Sequence, residues 1–173
     1  MHAPAFWKIV TSDRSNFLEN LTALLEEHGI RYCVIGGQGV NAYVEPLVSL
    51  DLDLVIAAGQ VAEVQSLLAA NFSVQAFPYS LNVSMPGSDL RVQIQTDPRY
   101  FSFVDRAAVR QILGVDLPVA SLEDILQGKI WAAGEEHRRP SKRRKDLLDI
   151  ERLLEAYPRL RDLVPIEILG RLT

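Results

Sequence analysis

At 173 residues, with 48% hydrophobic and 23% charged content, the chain has the size of one domain with a sizeable core. No run approaches the ~18 apolar residues of a membrane span. Residues 1–8 lack the charged start and long apolar stretch of a secretory signal, so a cytoplasmic address is expected. A net charge of −4 and a pI near 5.4 argue against the broad basic surface that extended duplex DNA requires.

In chain order, Phe17, Leu18, Leu21, Leu24, Leu25 and His28 share one helical face that stops at Gly29. Residues 32–35 read as a short buried strand ending at Gly36-Gly37-Gln38-Gly39, after which Val40, Tyr43 and Val44 recur at helical spacing. Such a strand, glycine turn and helix start lets backbone N–H groups approach a phosphate closely. The next strand, 50–56, carries Asp51 and Asp53 on one face and Leu50, Leu52 and Leu54 on the other. Two like charges so close repel, and a hard divalent ion with oxygen ligands resolves the conflict when the partner is a nucleotide phosphate. A solvated polar strand face is the competing reading.

Residues 60–70 form an amphipathic helix with Val61, Val64, Leu67 and Leu68 inward, and a third strand begins at 72–76. Residues 81–85 and 90–96 flank Pro86-Gly87-Ser88-Asp89 as a hairpin. A helix is expected over 103–113. Ser121, three residues before Asp124, suits a cap for the following helix, and Ser141 likewise for a last helix running to Tyr157-Pro158. The stretch 135–141 reads as a flexible joint.

Gly-Gly, a short helix and then Asp-x-Asp on the next strand resemble the nucleotidyltransferase superfamily built on the DNA polymerase β-like core. The resemblance is closest to its minimal members, including the nucleotidyltransferase-type toxins of the AbiEii group. It extends to Ser121-Leu-Glu-Asp-Ile-Leu-Gln-Gly-Lys129 and Lys145-Asp146-Leu-Leu-Asp149, which match that group's helical lysine and Lys/Arg-Asp-x-x-Asp motifs, and so spans roughly residues 32–154. It implies an α/β fold, a mixed sheet flanked by helices, with a core over 1–118 and a helical C-terminal lobe over 119–173 packed on it. It further implies transfer of a nucleoside monophosphate from an NTP to an acceptor hydroxyl or phosphate. Asp51 and Asp53 would bind Mg²⁺, Gly36 and Gly37 would cradle phosphates, and Lys129 would meet the triphosphate or orient the acids. Asp146 would act as base or position the nucleotide, with Lys145 and Asp149 beside it. The toxin-like relatives bring tRNA or another RNA as acceptor and a cognate antitoxin-like protein as partner.

One departure stands out. Members that catalyse carry a third carboxylate on a later strand, whereas here Leu90-Arg-Val-Gln-Ile-Gln-Thr-Asp97 places Gln93 or Gln95 there. An amide supplies neither negative charge nor a useful base. Three explanations stand: Asp97 substitutes from the strand end, Asp146 acts as base, or the chain is a catalytically decayed nucleotide-binding or interaction module.

Charge is unevenly placed. Arg138, Arg139, Lys142, Arg143, Arg144 and Lys145 put six of the 18 basic residues within eight positions, a cluster suited to a triphosphate or a nucleic-acid backbone. A solvated loop and helix start is the alternative. For Lys129, a stem lying along an apolar surface is the structural alternative. For Asp146 and Asp149, one helix turn apart, it is simple pairing with Lys142, Lys145 or Arg152. Cys33 sits in an apolar run as a core residue. His2, His28 and His137 show no metal-ligand spacing, and no Gly-x4-Gly-Lys-Ser/Thr segment supports a P-loop.

Overall fold

Short apolar runs bounded by glycines and charges become strands of a single sheet. The computed structural model describes residues 16–112 and 114–172. In order, its elements are α1 (Phe17–Glu27), β1 (Tyr32–Ile35), α2 (Gly36–Asn41), β2 (Asp51–Ile56), α3 (Val61–Asn71), β3 (Ser73–Phe77), β4 (Ser80–Ser84) and β5 (Arg91–Gln95). A 3₁₀ segment, Pro98–Arg106, then leads to β6 (Ala108–Ile112), β7 (Val115–Val119), α4 (Leu122–Ala133) and α5 (Pro140–Ala156). A second 3₁₀ segment, Pro158–Leu163, and α6 (Ile166–Leu169) follow.

The sheet order is β3-β4-β5-β2-β1-β7-β6. β2 runs antiparallel to β1 and parallel to β5, and β7 runs parallel to β1. This is the mixed, helix-flanked α/β sheet that the sequence implies. Its centre is set by period-two burial. Leu52 and Leu54 pair with Val92 and Ile94 and are buried with them, while Asp51 and Asp53 pair with Arg91 and Gln93 on the opposite face.

Two expectations change. The 103–113 helix does not form. Asp97 accepts from the Arg99 N–H at 3.0 Å and Pro98 opens the 3₁₀ segment, which ends at Arg106. Residues 108–112 then pair with 115–119, from Ala108↔Val119 to Ile112↔Val115. Partnership with a later strand outweighs the local helical spacing, as strand preference depends on what a segment pairs with. The last helix is opened by Pro140, suited to its first turn because the missing N–H has no partner there. Ser141 lies inside that turn and makes no cap bond. Ser121 does cap α4, accepting from the Asp124 N–H at 3.2 Å. The segment 1–8 lies outside the described residues.

The expected joint at 135–141 is tied down. Arg143 donates to the carbonyl oxygens of Ala133, at 3.1 Å, and Glu135. Arg138 forks onto Asp146.

The loop between α2 and β2 is held from below. Buried Asn41 donates to the Leu47 carbonyl (2.7 Å) and to the side-chain oxygen of Gln38 (2.9 Å), and accepts from the Leu47 N–H at 3.0 Å. Gln38 donates to the Ser49 carbonyl at 3.1 Å. These bonds deliver the chain into β2 with Asp51 on the cleft side. Asn41→Ala strands backbone groups of that loop, so a loss of about 1–3 kcal/mol is expected in urea unfolding; an unchanged midpoint would show that the loop does not depend on Asn41.

Candidate active site

The glycine turn and the carboxylate strand meet. Gly36 has φ +67°, in the left-handed region that favours glycine, and a Cβ there would collide with the Asp53 carboxylate. Ile35 pairs with Asp53 across β1 and β2. The sequence of the turn therefore makes room for the carboxylate beside it, and a bulkier residue at position 36 would displace it.

Asp51 and Asp53 differ in surroundings. Asp51 is half-exposed and accepts from Arg91 Nε at 2.7 Å. Asp53 is packed more deeply, and burial pushes its carboxyl up to about 6, against the pull of Lys129 and with help from Asp51.

The C-terminal helices bring the remaining charges in. Lys129 of α4 is 8% exposed and bridges two residues of α5, Asp146 at 3.2 Å and Asp149 at 2.9 Å. Burial alone would lower its pKa, but Asp149 and Asp146 outweigh that and hold it above the ordinary lysine value. Arg138 donates Nε to Asp146 Oδ2 at 2.9 Å and its terminal nitrogen to Oδ1 at 3.1 Å. Arg152 donates to Asp149 Oδ1 at 2.8 Å and to the Glu45 carbonyl at 2.6 Å. The result is an alternating chain, Arg138–Asp146–Lys129–Asp149–Arg152, which closes α5 onto α4 and the α2–β2 loop.

Two cavities share a wall made by Asp53, Gln93, Lys129, Arg138 and Asp146. The wider, about 750 Å³, is also bordered by Gly37, Asp51, Asp149 and three basic residues, Arg139, Lys142 and Lys145. The narrower, about 430 Å³, is bordered by Gly36, Tyr79, Gln95, Asp97, Arg99 and Glu135. All the residues singled out from sequence thus converge: Asp51, Asp53, Gly36, Gly37, Gln93, Lys129, Lys145, Asp146 and Asp149 each border one cavity or both. Gln93 lies beside Asp53 in register, and Gln95 and Asp97 follow it into the narrower cavity. Asp97 is engaged by Arg99 at 2.9 Å; burial works against its charge, yet the bonds from Arg99 keep its carboxyl below the usual range.

The basic cluster divides by role. Arg138 pairs with Asp146 and Arg143 latches the preceding turn, while Arg139, Lys142 and Lys145 border the wider cavity. Cys33 is fully buried, and burial pushes its thiol up to about 12, unsuited to nucleophilic work. Among the described residues, no helix is long and apolar enough to cross a membrane.

Sequence reasoning missed Arg91 as the partner of Asp51, Arg138 as that of Asp146, and the Asn41 hub. Only Arg152 was visible, through its three-residue spacing from Asp149.

The sheet, glycine turn and strand carboxylates define a nucleotidyltransferase-like fold, and solved structures agree. A lincomycin-bound lincosamide antibiotic adenylyltransferase, LnuA, aligns with a TM-score of 0.53 at 14% identity, over 82% of this chain and 99% of its own. ANT(2")-Ia in complex with adenylyl-2"-tobramycin gives 0.62 at 14%, over 90% and 96%. An antigenic nucleotidyltransferase-like protein from Paracoccidioides brasiliensis gives 0.51 at 18%, over 80% and 74%. At such identities the likeness is one of fold. No curated protein matches the chain. A family model described as "Nucleotidyl transferase AbiEii toxin, Type IV TA system" matches residues 40–169, most of the chain, which therefore belongs to this nucleotidyltransferase family. The match begins just after the Gly36-Gly37 turn.

Because burial pushes the Asp53 carboxyl up to about 6 from its ordinary 3.8, the folded state holds the proton more readily between those values. Its contribution favours folding below that window and is lost as pH rises through it. Asp53→Asn, with EDTA present, is expected to raise Tm more at about pH 7.5 than at about pH 4.5, by the equivalent of roughly 1–2 kcal/mol. Equal shifts at both pH values would contradict the desolvation of this carboxyl.

Proposed function

We propose that the chain transfers a nucleoside monophosphate from an NTP to an acceptor hydroxyl, with RNA as the acceptor class. The observation that carries this reading is the placement of Asp53 beside the Gly36 turn, at the wall between a basic cavity and a second, less basic one, with Asp51 on the same strand face bordering the basic cavity.

Mg²⁺ fits the residues present. Among the described residues no three His, Cys, Asp or Glu side chains are placed to hold a metal together, but magnesium is commonly held by one or two carboxylates with phosphate oxygens and water completing its shell. Asp51 and Asp53 would be that pair, Asp51 giving up its bond to Arg91 to hold the ion. When bound, the ion would neutralise charge on the triphosphate and orient it for in-line displacement. The chain's own residues do the rest. Arg139, Lys142 and Lys145 draw the triphosphate into the wider cavity, where exposed Leu47, Val48 and Leu148 offer apolar surface to a nucleobase. Lys129 and Asp146 act mainly by fixing α4 and α5 around Asp53, since their charges are already spent on each other and on their neighbours.

RNA is favoured over a small acceptor by Tyr79, a 64% exposed aromatic on the rim of the narrower cavity, suited to stacking a base. A cognate antitoxin-like protein belongs to the same reading, through the toxin–antitoxin description of the family. A second reading, nucleotide binding without turnover, is favoured by Gln93 at the position beside Asp53 where a third carboxylate would sit.

The test is transfer from NTPs labelled at the α-phosphate to total RNA, protein and small-molecule acceptors with Mg²⁺ present. RNA is expected to carry the label. Asp53→Asn should lower the rate by about a thousandfold, comparable to the loss of a principal charge-stabilising group, and Lys142→Ala should chiefly raise the KM for NTP. Binding of Mg²⁺–NTP with no labelled product would establish the binding-only reading.

A further inference from the structure

In an in-line displacement the nucleophile enters opposite the leaving group. With the triphosphate tail drawn to Arg139, Lys142 and Lys145, the acceptor hydroxyl enters through the narrower cavity, across the wall that holds Asp53. That hydroxyl must lose a proton, and Gln93, next to Asp53 in register, cannot take it.

The carboxylates bordering the narrower cavity are then the candidates, and most are committed. Asp97 is held by Arg99 at 2.9 Å, and Asp146 by Arg138 at 2.9 Å and Lys129 at 3.2 Å. Asp53 faces the nucleotide phosphates. Glu135 is different. It borders this cavity and enters no ion pair with a described residue, although Arg99 and Arg138 lie close enough to feel its charge. Its backbone is fixed at both ends: the N–H donates to the Ala132 carbonyl at 3.2 Å, and the carbonyl accepts from Arg143. A carboxylate on an anchored turn at the cavity's border, not locked into an ion pair as its neighbours are, suits a proton acceptor.

We propose that Glu135 takes the proton from the acceptor hydroxyl, replacing the carboxylate missing at Gln93; this rests on the nucleotidyl-transfer reading above. As the acceptor oxygen bonds to the α-phosphorus, its proton passes to the Glu135 carboxylate. The bond from the α-phosphorus to the bridging oxygen breaks, and pyrophosphate leaves with the electron pair. Glu135 then returns the proton to water. The turn that looked like a flexible joint thereby becomes part of the reaction centre.

The experiment measures label transfer from α-phosphate-labelled NTP to total RNA at saturating NTP, alongside a separate titration of Mg²⁺–NTP binding. Glu135→Ala is expected to lose about a hundredfold or more in kcat with unchanged NTP affinity and an unchanged circular dichroism spectrum. Sodium formate should restore part of the lost rate, because a dissolved carboxylate can occupy the vacated space, and Glu135→Asp should retain more activity than Glu135→Ala. Parental transfer with an equally fast Glu135→Ala variant, or a slow variant that formate does not rescue, overturns the role of Glu135 while leaving the transferase reading intact. A parent that binds Mg²⁺–NTP and labels no acceptor overturns both.

Discussion

Lys129, held between Asp146 and Asp149, is the contact on which the site's geometry depends. Burying an ammonium costs several kcal/mol unless it is paired and hydrogen-bonded, and here one lysine of α4 meets two carboxylates of α5. Arg138 and Arg152 satisfy the outer oxygens of the same carboxylates. Each charge therefore has a partner of opposite sign, and the chain of five residues fixes one register between the helices. A slip of α5 by one residue would turn both carboxylates away, since positions three apart share a helix face and neighbours do not. Arg152 carries the constraint further, onto the Glu45 carbonyl and so onto the loop that leads into Asp51.

The strand pair depends on a second electrostatic arrangement. Two carboxylates one residue apart face the same way, and the fold eases their repulsion unequally. Asp51 takes Arg91 from the neighbouring strand, while Asp53, deeper and beside Gly36, has Lys129 as its main opposing charge. The outer carboxylate is thus screened by an exposed arginine and the inner one by buried protein charge. That asymmetry fits the proposed role, in which Asp51 would give up Arg91 while Asp53 keeps its surroundings.

Much of this was legible in the residues, for a definable reason. The 32–35 strand, the glycine turn and the Asp-x-Asp strand are local patterns, so their periods survive in the fold, and the spacing of Lys145, Asp146 and Asp149 already placed the two aspartates on one helix face. The features that escaped are non-local. Residues 108–112 become a strand because 115–119 are available to pair with them, and the local helical spacing of Phe103 and Val104 gives no sign of it. Arg91 meets Asp51, and Arg138 meets Asp146, through sheet register and a turn geometry that the sequence does not display. Glu135 went unnoticed because acids in a polar turn are common, and only the engagement of its neighbours singles it out.

In the proposed function Asp51 and Asp53 hold a divalent ion together with a nucleotide. Titration of Mn²⁺ followed by electron paramagnetic resonance, with and without a non-hydrolysable NTP analogue, tests it most directly. A Mn²⁺ site is expected that tightens when nucleotide is added and disappears in Asp53→Asn, while Asp97→Asn, whose carboxylate is committed to Arg99, leaves it in place. Mn²⁺ binding that is indifferent to nucleotide, or that persists unchanged in Asp53→Asn, would contradict it.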